Sequence, residues 1–107
     1  MNIELLSENA TLPRPFMGYQ LHSAIDVIVP AGGQALILTD LSITLPEDVI
    51  ERVVTESRLQ EEGLTVRDGH VLREGERRNV AFYLYQRGDQ DYSIKAGDLV
   101  AQYILIK

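Results

Sequence analysis

Apolar and polar residues alternate at every second position in short runs, and each run is cut off by glycine or proline. Successive side chains of a strand point to opposite faces, so this period builds half-buried strands and not helices. Asp26-Val27-Ile28-Val29-Pro30 predicts a strand ended by proline, followed by a turn at Ala31-Gly32-Gly33-Gln34, where paired glycines accept positive φ. Two further runs, 35–39 and 41–45, close at Pro46. The densest run is 79–85 (NVAFYLY), β-branched or aromatic at most positions. Turns at Gly88-Asp89-Gln90 and Ala96-Gly97-Asp98 bracket a short strand at 92–94, and 99–106 (LVAQYILI) forms the last strand.

Segment 47–62 carries mixed signals. Acids at its start and Gly63 after its end suit a helix, whereas Val49, Ile50, Val53, Val54 and Thr55 are β-branched and disfavour one. The expected resolution is a strand over 49–55 and at most a short helical turn over 56–62. Strands of this length and spacing predict an all-β sandwich, barrel or jelly roll.

The chain has 107 residues, read as a single domain over 1–107. A chain this short hides only about two-thirds of its unfolded surface, so association with copies of itself is a natural supplement. A net charge of −6 argues against nucleic acid and anionic membrane as partners. Arg67, Arg73, Arg77 and Arg78 nonetheless cluster, interleaved with Asp68, Glu74 and Glu76. They read either as a solvated face or as an anion or partner surface, because guanidinium forks match carboxylates and phosphates. Cysteine is absent, which removes disulfides and thiolate chemistry, and two histidines are too few for a three-histidine zinc site. No apolar run reaches the ~20 residues that span a bilayer. Met1–Leu6 lacks the basic start of a secretory signal, so the expected location is intracellular.

Four stretches, in order, resemble the trimeric dUTPase family (deoxyuridine triphosphate nucleotidohydrolases): Leu6–Pro13 (LSENATLP), Gly18–Ala24 (GYQLHSA), Leu38-Thr39-Asp40 through Leu45-Pro46, and Ala96–Gln102 (AGDLVAQ). The resemblance implies a distorted jelly roll or β-barrel with at most one short helix, assembled as a homotrimer with sites between subunits. In that family a β-hairpin cradles uracil, an aspartate on it activates the attacking water, and a tyrosine on it packs on the deoxyribose. Magnesium, a serine, an arginine and a C-terminal glycine-rich arm enclose the triphosphate.

Position by position, the chain departs from that pattern. Met17-Gly18-Tyr19-Gln20-Leu21 matches a motif whose aspartate helps hold the metal shell, and Gln20 lacks its charge. In Glu56-Ser57-Arg58-Leu59-Gln60 the phosphate-directed Ser57 is kept, but Glu56 replaces an arginine. His70-Val71-Leu72-Arg73-Glu74-Gly75-Glu76-Arg77-Arg78 corresponds to G-V-I-D-x-D-Y-R-G, so Arg73 stands at the base aspartate and Glu76 at the tyrosine. A guanidinium accepts no proton, and losing a general base costs about 10²–10⁴ in rate. His70 takes a glycine position, where its ring is expected to fill the hollow or lie at the surface. The glycine-rich arm has no counterpart before Lys107.

The expectation from these departures is a catalytically inactive member, a pseudoenzyme that works as a protein-binding adaptor or regulator without metal or cofactor. An adenoviral early-region protein is similar in having the fold without the enzyme, which suggests a viral or phage accessory role, in the cytoplasm or in a host nucleus. The expected partners are other copies of the chain and an unidentified protein, with Arg67, His70, Arg73, Arg77 and Arg78 as the contact or anion surface. Ser57, Gly97, Asp98 and Gln102 are the candidates for residual phosphate contact, with fold-keeping as the plainer role. Three alternatives stay open: a nucleotide binder that does not hydrolyse, a divergent dUTP pyrophosphatase, and a structural subunit of a mixed trimer.

Overall fold

The computed structural model describes residues 1–15 and 18–106; Met17 and Lys107, named above, lie outside the described residues. In chain order the strands are β1 (Asn2–Leu5), β2 (Tyr19–His22), β3 (Val27–Val29), β4 (Gln34–Leu38), β5 (Leu41–Thr44) and β6 (Ile50–Thr55). A short helix α1 (Ser57–Glu61) follows, then β7 (Leu64–Val66) and a single 3-10 turn (Arg67–Gly69). The chain closes with β8 (Leu72–Glu74), β9 (Asn79–Gln86), β10 (Tyr92–Ile94) and β11 (Leu99–Ile106).

Strand β9 is bonded on both edges. One edge takes β4, with Ala35 opposite Leu84 and Leu38 opposite Ala81. The other takes β7 and β8 end to end, with Val66 opposite Leu84 and Leu72 opposite Ala81. A second sheet runs β2-β11-β6, and the pairs β1-β5 and β10-β3 complete the shell. All these pairings are antiparallel.

The alternation along β9 sets the core. Val80, Phe82 and Leu84 are fully buried and point inward. They meet Leu21, Ile37, Leu41, Val100 and Tyr103, which are likewise removed from solvent. Tyr83 and Tyr85 point to the other face and keep solvent contact. Segment 47–62 resolves as the β-branched residues dictate: strand to Thr55, then five helical residues. Glu56 ends the strand and caps the helix, its Oε2 accepting from Arg58 N at 2.8 Å and Leu59 N at 3.4 Å. Strands β1, β2, β7 and β8 were not legible as runs. They are three or four residues long, and β8 (Leu-Arg-Glu) becomes a strand through its ladder with β9, not through its composition.

One polar cluster fixes the corner between β4 and β5. Asp40 sits at φ 54, a conformation asparagine and aspartate tolerate better than most residues. Its carboxylate accepts from Ser7 Oγ (2.6 Å) and Asn79 Nδ2 (2.8 Å), and its own N–H donates to Asn79 Oδ1 (2.9 Å). Thr39 Oγ1, fully buried, donates to Val80 O at 2.7 Å. The Leu38-Thr39-Asp40 stretch of the family frame therefore has a structural role. Asn79→Ala removes both bonds to Asp40 and is expected to cost about 2 kcal/mol. That lowers the melting temperature by roughly 10 °C in a domain of this size, as scanning calorimetry would show.

Candidate functional site

Strand parity on β8 divides the hairpin into two faces. Arg73 lies opposite Val80, an inward residue, and Leu72 opposite Ala81, on the parity of Tyr83. Arg73 therefore reaches into the end of the shell, while Leu72 faces the outer surface of the sheet.

Inside, the Arg73 guanidinium pairs with the Glu51 carboxylate through Nη1 to Oε1 and through Nη2 to Oε2 at 2.9 Å. Nη2 also donates to Ile43 O at 3.2 Å, and the Tyr103 hydroxyl donates to Glu51 Oε2. Burial on its own would raise the Glu51 pKa, but the bonds from Arg73 and Tyr103 and the arginine charge outweigh it and lower it. Arg73 is held protonated above its ordinary value, chiefly by the Glu51 bond, and Tyr103 is pushed well up by burial and then by the adjoining carboxylate. Arg73 is thus a part-buried structural cation paired inward, and its placement in a surface anion or partner patch is corrected.

Outside, the hairpin and the 3-10 turn enclose two adjoining hollows. The first, about 230 Å³, is lined by Leu72, Tyr83, Arg67, Asp68 and His70. The second, about 480 Å³, is lined by Gln34, Thr65, Val66 and Tyr85, and again by Arg67 and Asp68. His70 is exposed at the rim and leaves the first hollow open, so of the two expectations for its ring the surface position is the one observed. Asp68 holds φ 58 within the turn, and Arg67 Nη1 donates to Gln34 Oε1 at 3.0 Å.

Of the remaining sequence-selected residues, Glu56 and Asp98 share a small hollow of about 90 Å³ with Arg58, and the others are dispersed. Glu56, expected to repel phosphate, is occupied in capping α1, and Ser57 lines neither of the two outer hollows. Gly97, at φ 94, and Asp98 form a turn in which Asp98 Oδ2 accepts from Lys95 N at 2.9 Å. Gln20 and Gln102 face each other across β2 and β11, and Gln102 Oε1 is buried without a partner. Glu76, Arg77 and Arg78 occupy the exposed hairpin turn, where Arg77 Nη1 donates to Leu6 O at 3.1 Å. Of the five residues assigned to one surface, only Arg67 and His70 meet at a hollow. Sequence reasoning missed Glu51, Tyr103, Asp68 and Tyr83. Glu51 had a readable signal: it shares the inward parity of Val53 and Thr55, and a carboxylate on an inward face needs a cationic partner.

A family model described as dUTPase matches residues 10–107. The chain is 39% identical over 110 residues to a deoxyuridine 5'-triphosphate nucleotidohydrolase of Oryza sativa subsp. japonica, covering 98% of this chain and 64% of the relative. Its counterpart in Arabidopsis thaliana is 40% identical, with 98% and 66% covered. The chain thus spans a little under two-thirds of both relatives. A probable deoxyuridine 5'-triphosphate nucleotidohydrolase of Schizosaccharomyces pombe is 36% identical, with 96% and 76% covered. Among solved structures, a dUTPase mutant from phage phi11 of S. aureus superposes with a TM-score of 0.84 at 21% identity, covering 98% of this chain and 88% of that one. The Staphylococcus bacteriophage 80alpha dUTPase with dUPNHPP gives 0.84 at 20%, covering 98% and 80%. The expected dUTPase-like jelly roll is the fold observed.

These relatives overturn the expectation of an inactive adaptor and pseudoenzyme: curated proteins matching nearly the whole chain are named as nucleotidohydrolases. Of the alternatives weighed, the divergent hydrolase fits them better. The inactive reading rested on Gln20, Glu56, Arg73, Glu76 and the missing arm together, with Arg73 at the position of the base as its main ground. That residue faces inward onto Glu51, whereas the outer hollow carries a carboxylate of its own.

Glu51→Gln leaves the Arg73 charge part-buried without its counter-ion, with an expected loss of about 3 kcal/mol at neutral pH. A carboxylate whose folded pKa is depressed stabilises above its unfolded pKa, and that contribution fades as pH falls through the folded value. The difference in melting temperature between wild type and Glu51→Gln is therefore full above about pH 5 and closes below about pH 4. Thermal melts across that range would test it.

Proposed function

Because the chain belongs to the dUTPase family, we propose that it is a divergent nucleotidohydrolase acting on deoxyuridine triphosphate. The observation that carries this reading is the open first hollow on the β8–β9 hairpin, the element to which the family resemblance assigns the uracil. Leu72 and the Tyr83 ring offer apolar walls suited to a flat base, and Arg67 offers a fork suited to phosphate. The names of the relatives support the reaction class. Gln20 brings a neutral amide where the resemblance implies a metal-shell carboxylate, which does not fit a protein-held divalent ion, so no step is routed through one.

The same reading has copies of the chain assembling, as a homotrimer by the family resemblance, through the outward face of the β2-β11-β6 sheet. Ile50 pairs with Ile106 and Val54 with Gln102 on that face, and the three apolar residues are 58%, 47% and 47% exposed for Ile50, Ile106 and Val54. On the same face His22 Nδ1 and Gln102 Oε1 are buried without partners, at about 1–3 kcal/mol for each such group. Burial, then the nearby Arg14 charge, lowers the His22 pKa and favours a neutral ring. A second copy would cover the apolar side chains and offer donors and acceptors to both orphans.

Purified chain is expected to release pyrophosphate from dUTP, in a magnesium-containing assay, in preference to UTP and dCTP. A chain that binds dUTP in a calorimeter without releasing pyrophosphate would support the sequestering alternative, and one that does neither would remove the nucleotide reading. Light scattering is expected to give a multiple of the single-chain mass, and Val54→Glu, which sets a charge in the apolar face, is expected to shift it toward one chain.

A further inference from the structure

The two hollows share Arg67 and Asp68, so these side chains stand on the boundary between them. The first hollow is walled by Leu72 and Tyr83, and the second adds the polar groups of Gln34 and Thr65. Together they fall within the roughly 300–1,000 Å³ typical of small-molecule sites, which the first alone does not reach. A ligand with a flat base at one end and a charged chain at the other is matched by this pair. Its base lies on the apolar walls, and its phosphates pass the boundary.

Among the described residues Asp68 is the one carboxylate lining either hollow. It has no ion pair there, in contrast to Glu51, which faces inward and is occupied by Arg73 and Tyr103. His70 lines only the first hollow, at the base end. Asp68 is also held in the left-handed region at φ 58, between Val66 of β7 and the positive-φ Gly69. A non-glycine residue kept in that region costs about 1–3 kcal/mol and persists where surrounding structure enforces it.

We infer that Asp68 is the proton acceptor of this chain's hydrolysis, taking over on the 3-10 turn the role that the hairpin position of Arg73 no longer fills, with Arg67 beside it as the phosphate-binding cation. The inference rests on the hydrolase reading above. A water between Asp68 and the α-phosphorus gives its proton to the carboxylate as its oxygen bonds to phosphorus. The bond from the α-phosphorus to the α–β bridging oxygen breaks, and pyrophosphate departs with the electron pair. The proton on Asp68 then passes to the leaving pyrophosphate. Arg67 offsets the negative charge that builds on the phosphoryl oxygens, a charge that a lone carboxylate would oppose. The chain's overall −6 makes such a local cation necessary for a tetra-anionic ligand.

The test is Asp68→Asn in the full chain, since asparagine also tolerates positive φ and keeps the turn. Pyrophosphate release is measured alongside calorimetric binding of the non-hydrolysable α,β-imido analogue of dUTP. The expected result is a fall in kcat of at least about 100-fold, with KM and analogue affinity within about threefold of wild type. If thermal melts show Asp68→Asn unfolded, Asp68→Gly removes the carboxylate with the residue best suited to that φ. An undiminished kcat in a folded variant would overturn the inference and leave the hydrolase reading standing, as would parallel loss of rate and analogue binding, which marks a binding role. A wild-type chain that releases no pyrophosphate would overturn both.

Discussion

Strand β9 carries the structure because it is hydrogen-bonded along both edges and its two faces serve the core and the hollows. Val80, Phe82 and Leu84 supply the inner face with bulk that is wholly removed from water. Burying side chains of this size contributes about 1.5–3 kcal/mol each. Tyr83 and Tyr85, one residue out of phase, floor the two outer hollows. A slip of one residue in the β8–β9 register would exchange the faces, sending Arg73 out toward the hollow and Leu72 in toward Glu51. The register thus decides at once what is core, what is site and which charge lies where.

The Glu51–Arg73–Tyr103 cluster makes that register hard to change. Ions at the end of a barrel lose hydration, and an unpaired one would be costly enough to select another packing. Here the carboxylate receives bonds from a guanidinium and a phenol, and the guanidinium finds a backbone carbonyl on β5 as well. The cluster ties β5, β6, β8 and β11 together where no single ladder joins all four. An arginine in this hairpin is consequently explained by what it holds together.

The sequence announced most of the strand scaffold and little of the site. Runs such as 79–85 and 99–106 declare themselves because alternation with β-branched and aromatic residues follows directly from a half-buried sheet. The break at Glu56 was legible too, since β-branched residues stop there. Strands β1, β2, β7 and β8 were not, because they are short and lack a sustained alternating apolar run of their own, so their pairing comes from long-range ladders. The site was misread for a related reason. A motif comparison assigns a residue to a position in the chain, but which way its side chain points depends on parity against a partner strand. Arg73 kept the position of a base and took up the face of a core residue. Asp68 belongs to no motif, and only the folded turn sets it and its neighbour Arg67 against Tyr83.

Charge placement gives the same view of why an acidic chain need not exclude an anionic ligand. The acids nearest the hairpin are largely engaged or turned away: Glu51 is paired inside, Asp40 holds the β4–β5 corner, and Glu56 caps α1. Glu74 and Glu76 are exposed in and beside the turn, where water and salt screen them over about 8–10 Å. What a ligand meets at the hollows is set by the local charges of Arg67 and Asp68, with the His70 ring at the rim of the first. A net charge of −6 governs how the chain repels distant anions, whereas recognition at contact depends on those few groups. The two outer surfaces are accordingly unlike in character. One is a charged, hollowed sheet face suited to a small polar molecule. The other is a flatter face bearing Ile50, Val54 and Ile106 with two unsatisfied polar atoms, whose energetic deficit another protein surface can relieve and water reaches poorly.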